Sequence, residues 1–415
     1  MISRRFFLNF ASKLGLFALF CKARFVSSES YCIEDEALCK VSEGGFFSAL
    51  GNLDRVFSLS APMTNLVGTI LLRRKINLPK PIAELGTLVF RVDKYIEGAD
   101  SISSYLLEIR SSNLINQVTC MNDSATVSPP GSRWVCAHVS EFEDFFNKNF
   151  DSVYLAIKAS QRRPFLGKVA FSPIFHSVKR RPTVVITFDD LHSSIYDLAF
   201  PFLKKRNLCC TLYVPKDFVG KVKKLRLEQI VDMYESGWDM ACDSTPDDTL
   251  TKILDIERSV RDILINRDFL VSQGLTRAAD HFCWTFGRWD IAVANEFRSV
   301  GFKSGRSVEP QAFYDGFGLL DIDMTIPSCG ASVGNDTTRL YKQLDEVVRR
   351  GVTQFFHFHN IVQDGQKDGF CFSGFLDFVE KIYFLRNSGA VDVLTISQWW
   401  NRVRKDRIEN SPNII

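Results

Sequence analysis

The sequence predicts an α/β chain in two parts, an all-β segment followed by repeated strand–helix units. Three observations carry this. Up to about residue 178, short and largely alternating apolar runs such as Thr87–Asp93, Ser104–Arg110, Ser152–Lys158 and Gly167–Phe175 are separated by turns such as Ser128–Ser132; that pattern suits a β-sandwich. After Lys179-Arg180-Arg181-Pro182 the period changes, and strand-like runs alternate with helix-spaced segments. Finally, 415 residues at 46% hydrophobic and 24% charged are enough for two cores. The expected boundaries are a leader at 1–27, a β-sandwich domain at 28–180, a strand–helix domain at 181–405 and a tail at 406–415.

In the leader, Ser3-Arg4-Arg5-Phe6-Phe7-Leu8 resembles a twin-arginine export signal, and the apolar stretch Leu14–Phe20 is too short for a permanent membrane span. Export to the periplasm or the extracellular space is expected, with any membrane attachment through this segment alone. The net charge of +3 gives no reason to expect a nucleic-acid partner. The chain has eleven cysteines, and in an exported protein Cys32 with Cys39, or Cys120 with Cys136, could pair. Cys209, Cys210, Cys242 and Cys283 sit in apolar runs and read as buried free thiols.

In the second part the expected strands are Thr183–Phe188, Cys209–Val214, Trp238–Cys242, His281–Trp284, Val352–Phe358 and Val391–Ile396. The expected helices are Ser194–Arg206, Leu225–Ser236, Ile253–Ser272, Ile291–Val300, Gly374–Asn387 and Ser397–Val403. Repeated units of this kind form a mostly parallel sheet, open or closed into a barrel. Chemistry then gathers at the carboxyl ends of the strands. The first strand ends there on two adjacent carboxylates, Asp189 and Asp190, in "PTVVITFDDLHSS". Bringing like charges together is costly unless a cation joins them; a helix N-cap beside a solvated neighbour is the plainer alternative.

The order "ITFDD", "GWDMACDSTPDDTLTK", "HFCWTFG" and "FFHFHN" resembles the polysaccharide deacetylase family, the NodB-homology or CE4 carbohydrate esterases, over roughly Pro182–Val403. The resemblance implies a distorted, incomplete (β/α) barrel that removes N-acetyl or O-acetyl groups from an acetylated polysaccharide or oligosaccharide. It implies Asp189 as general base, Asp190 as a ligand of one divalent cation, and His359 as the acid that protonates the leaving group. The family's two metal-binding histidines fall here on Asp243 and Asp247, with Asp248 one residue away. The implied ligand set is therefore Asp190, Asp243 and Asp247, an all-oxygen set that suits Mg²⁺, Mn²⁺ or Ca²⁺ better than Zn²⁺. "DSTPDD" would otherwise be an ordinary turn and cap. The arginine that orients the base in the family falls on Cys283 and is therefore expected to be missing; the motif-one glycine is Leu191. Trp284 and Phe286 are candidates for a sugar-binding wall or for the core. His192 and His357 are auxiliary candidates, His281 a weaker one, and Asp321 or Asp323 falls near the fourth motif. Two further readings accompany the deacetylase: a degenerate relative that only binds saccharide or serves as a structural module, and an esterase acting on O-acetyl groups.

Overall fold

The computed structural model describes backbone and side chains for residues 181–243, 256–289, 292–308, 312–313, 323–331 and 336–405. Backbone alone is described for the strands between 24 and 177, for Ile291 and for residues 406–409. Within the former stretch, strands from Arg24–Val26 to Ile174–Ser177 pair into one mainly antiparallel sheet. The side-chain packing that would make it a sandwich lies outside the described residues. So do the leader up to residue 23 and the side chains of Cys32, Cys39, Cys120 and Cys136.

From residue 183 the expected alternation is present. β1 (Thr183–Phe188) leads through a π-turn, Ile195–Ala199, into α1 (Phe200–Lys205). β2 (Thr211–Val214), α2 (Leu227–Glu235), β3 (Asp239–Asp243), α3 (Ile256–Ser272), β4 (Ala278–Cys283) and α4 (Ile291–Ser299) follow. β5 (Ser304–Arg306), β6 (Ser328–Gly330), α5 (Thr338–Arg350) and β7 (Thr353–Phe358) continue the series. A small ribbon of β8 (Ile361–Val362) with β9 (Phe370–Cys371), then α6 (Phe372–Asn387), β10 (Asp392–Val393) and α7 (Ile396–Glu409), complete it. The π-turn has a local cause. Pro201 lies in the first turn of α1 and has no N–H, so the regular ladder cannot run through it.

The sheet runs β5-β4-β3-β2-β1-β7-β6, and every pairing in it is parallel. β10 pairs with the start of β1 (Thr183 with Asp392), while the end of β1 pairs with β2. The outer strands meet through one bridge, Arg306 to Ile326: the Ser307 N–H donates to Ile326 O at 2.7 Å and the Ile326 N–H to Gly305 O at 2.8 Å. The ring is therefore a nearly closed, irregular barrel with helices outside, the predicted architecture.

Residue alternation along the strands builds two cores. Val184, Ile186, Phe188, Leu212, Val214, Met240, Phe282, Phe356 and Phe358 pack outward against the helices. Val185, Tyr213, Ala241, Cys283 and Phe355 face the lumen, which Ile396, Trp399 and Val403 of α7 plug from below. The lower lumen is thus apolar. Its upper end, at the carboxyl ends of the strands, carries Asp189, Asp243, Arg306 and His357, all buried.

Five elements are absent from the periodicity reading, β5, β6, β8, β9 and α5, and β8 and β9 are only two residues long. β5 and β6 are three residues long, too short to show a period. The helix α5 is legible: Leu340, Leu344 and Val347 are its buried face, at helical spacing. Its C-terminus also carries the expected left-handed cap, Gly351 at φ 69°.

Candidate active site

The end of β1 is held in an unfavourable backbone conformation. Asp190 and Leu191 both have positive φ, 64° and 53°, where a side chain costs roughly 1 kcal/mol per residue. Surrounding bonds hold the turn. The Asp189 N–H donates to Phe358 O at 2.9 Å, the Leu225 N–H to Leu191 O at 2.7 Å, and Lys224 Nζ to Asp190 O at 2.7 Å. Leu191 is itself fully buried. Leu191→Gly should therefore be net destabilising by about 1–2 kcal/mol, because losing a buried leucine outweighs the relieved strain. Urea unfolding checks this, and a more stable glycine variant would show that the strain dominates.

Beyond the turn, an open cleft of about 520 Å³ is lined by Asp189, Asp190, Asp243, Cys283, Arg306 and His359, with Pro215, Trp284–Gly287 and Val308 completing it. At its floor Arg306 Nη2 donates to Asp189 Oδ2 at 2.6 Å, with both side chains at least nine-tenths buried. The other oxygen, Asp189 Oδ1, is buried and accepts no hydrogen bond. The Arg306 guanidinium lies 4.9 Å from the centre of the Tyr213 ring, which supports it from the lumen wall.

Asp243 ends β3 on the same cleft. Burial, and then the charge of Asp189, push its carboxyl up to about 8. The Cys283 thiol donates to it. Burial first and the Asp243 charge second push that thiol far above its ordinary range, so it stays neutral.

The histidines occupy distinct environments. His359, half-exposed at the mouth, has Nε2 3.7 Å from Asp189 Oδ2 and 4.0 Å from Asp190 Oδ2. His192 Nε2 lies 3.9 Å from Asp190 Oδ2, and burial lowers its pKa. His357 is buried; Ser328 Oγ donates to Ser307 O and so accepts from His357 Nδ1–H at 2.8 Å. This bond fixes the Nδ1–H tautomer, and burial holds the ring neutral. Gly330 makes room for it, since a Cβ there would sit 2.4 Å from His357 Nε2. His281 lies below the cleft, bonded through Nδ1 to Ser304 Oγ at 2.7 Å, with burial pulling it down to about 3.

Trp284 is buried, donates Nε1–H to Met324 O at 2.6 Å and stacks on Phe297 at 5.4 Å. Phe286 is 63% exposed at φ 53° on the cleft rim. Asp323 accepts from Arg298 at 2.6 Å and is not among the residues that line the cleft. Asp247, Asp248 and Asp321 lie outside the described residues. The structure therefore brings together Asp189, Asp190, Asp243 and His359, with His192 beside Asp190 and His357 behind His359 (ring centroids 5.6 Å apart). Arg306 is the residue that sequence reasoning misses. Its only signal is an arginine at the end of an apolar–small run, "FKSGR".

Among the described residues no group of three His, Cys, Asp or Glu side chains converges as a cation site. The donors present nonetheless suit a hard cation: Asp190 and Asp243 both line the cleft, and Asp243 is a buried carboxyl that needs either a proton or a cation. No helix among the described residues is long and apolar enough to cross a membrane.

No curated protein matches the chain. Similar solved structures include the Streptococcus pyogenes deacetylase PplD in complex with acetate, at 19% identity over 38% of this chain and 69% of that one, with a TM-score of 0.33. Another is the peptidoglycan deacetylase PdaC from Bacillus subtilis, at 14% identity over 56% and 96%, with a TM-score of 0.34. A third is a mutant of BA3943, described as a CE4 family pseudoenzyme with restored enzymatic activity, at 12% identity over 54% and 68%, with a TM-score of 0.34. The family model described as polysaccharide deacetylase matches residues 176–305, from before β1 through Gly305, and the chain therefore carries a polysaccharide deacetylase domain.

Proposed function

We propose that the chain is an exported, metal-dependent hydrolase that removes acetyl groups from a polysaccharide. One observation carries the reading: a buried carboxylate, Asp189, is paired through one oxygen with Arg306, while its other oxygen has no partner in a cleft that His359 overlooks from 3.7 Å. Asp189 Oδ1 accepts the proton of a water attacking the acetyl carbonyl carbon. The carbon–nitrogen bond (carbon–oxygen in an ester) then breaks, and His359 Nε2–H protonates the departing amine or alcohol, leaving acetate. Asp190 and Asp243 would hold the cation with a carboxylate of segment 244–255, Asp247 or Asp248. When bound, a divalent cation supplies polarisation of the carbonyl and of the water, and balances the charge of three carboxylates. His192 and His357 flank the proton donor, and Phe286 offers an apolar face to the sugar.

Acetate release from N-acetylglucosamine oligomers and acetylated xylan, before and after EDTA treatment, tests this. Release is expected to fall by at least about 100-fold on chelation and to return with Mg²⁺, Mn²⁺, Ca²⁺ or Zn²⁺. The rival reading is a saccharide-binding relative without activity. Glycan binding with no acetate release under any cation would decide for it.

A further inference from the structure

Asp243, Cys283 and Arg306 form one row. Asp243 is the register partner of Cys283 between β3 and β4, and Cys283 that of Arg306 between β4 and β5. Register partners in a parallel ladder face the same side at about 4.8 Å spacing, so all three side chains point into the upper lumen, and all three line the cleft. A carboxylate and a guanidinium are thus two strands apart with a thiol between them. From β5 the guanidinium crosses the lumen, over the Tyr213 ring, to Asp189 at the end of β1. Among the described residues its ion pair is with Asp189 and none joins it to Asp243.

This placement has a consequence for the charges. A cation at position 283 would be the immediate neighbour of Asp243, the carboxylate placed to hold a metal ion. It would compete with that ion at short range. One strand further on, the same cation serves Asp189 instead.

We propose that this row divides the charges of the site: Arg306 is the positioning residue for Asp189, and Cys283 is the neutral spacer that leaves Asp243 free to take a cation. The inference rests on the deacetylase reading for its activity arm only. The unpartnered Asp189 Oδ1 is then aimed by a guanidinium gripping Oδ2, from a strand where the family pattern does not place the arginine. An arginine at position 283 would instead lie beside Asp243 and neutralise it.

Two arms test the proposal. In the first, Mn²⁺ binding is measured by calorimetry on folded wild-type, Cys283→Arg and Arg306→Met proteins, with melting curves to confirm folding. Wild type is expected to bind about one Mn²⁺. Arg306→Met should bind within about threefold of it, and Cys283→Arg at least tenfold more weakly. In the second arm, kcat and KM are measured on an acetylated oligosaccharide. Arg306→Met should lose about 100-fold in kcat with little change in KM, and Arg306→Lys should recover part of it. The double variant Cys283→Arg/Arg306→Met should recover nothing, because its cation lies against Asp243. No Mn²⁺ bound by wild type, unimpaired binding by Cys283→Arg, or restored turnover in the double variant would each overturn the proposal. A loss in Arg306→Met confined to KM would do the same. A wild-type protein that binds Mn²⁺ yet releases no acetate would count against the deacetylase reading alone, since the first arm needs no turnover.

Discussion

Asp189→Asn is expected to lower kcat for acetate release by about three orders of magnitude while KM changes little. The side chain keeps its shape and one oxygen for Arg306, but an amide cannot take a proton from water, and positioned proton transfer contributes 10²–10⁴-fold. The same change should also lower stability. Arg306 is 1% exposed, so it would be left as a charge buried without its carboxylate; removing one partner of such a pair typically costs about 3–5 kcal/mol. The two effects separate in measurement. Denaturant unfolding reads the second, and kcat at a temperature where the variant is fully folded reads the first. Turnover within tenfold of wild type in the folded variant would remove Asp189 from the role of base.

The second large effect lies at the opposite end of the barrel. Trp399→Ala should destabilise the protein by about 3–5 kcal/mol, the usual range for truncating a buried aromatic to alanine. Trp399 is fully buried and meets Phe355 edge-on at 5.0 Å and Phe313 at 6.0 Å. It brings α7 against the base of the lumen, together with Ile396 and Val403. Its removal opens a cavity in the apolar base of the lumen, below the row of polar residues. Trp399→Phe should recover more than half of the loss. An alanine variant within about 1 kcal/mol of wild type by urea unfolding would mean that α7 is not a structural plug.

Much of this architecture can be read along the chain because it is local. The run Thr183–Phe188 is apolar on both faces, as a strand between lumen and helices must be. The same stretch shows the two carboxylates at its carboxyl end, and the family resemblance carried by "ITFDD", "GWDMACD", "HFCWTFG" and "FFHFHN" implies Asp243 and His359 as their neighbours, which line the same cleft. α5 carries the same kind of signal, Leu340, Leu344 and Val347 at helical spacing, but is not among the helices expected from the sequence.

Arg306 is different in kind. Residue type marks it only as a cation, and the family pattern directs attention to Cys283. Its role depends on a strand of three residues, on the register that sets it beside Cys283, and on the curvature that brings β5 across from β1. The resulting bond spans 117 residues. Likewise, nothing in the local pattern of "DLHSS" or "FHFHN" separates the four histidines of the barrel; burial and partners do. His281 and His357 are held neutral by the packed lumen, while His359 reaches the mouth.

By itself, then, the sequence determined the strand–helix repeat, which follows from local periodicity, and pointed to Asp189 and Asp190 at a strand end by residue type and to Asp243 through the family resemblance. Only the tertiary structure decided which cation serves which carboxylate. That pairing depends on register and on barrel closure, which set distances between residues far apart in the chain.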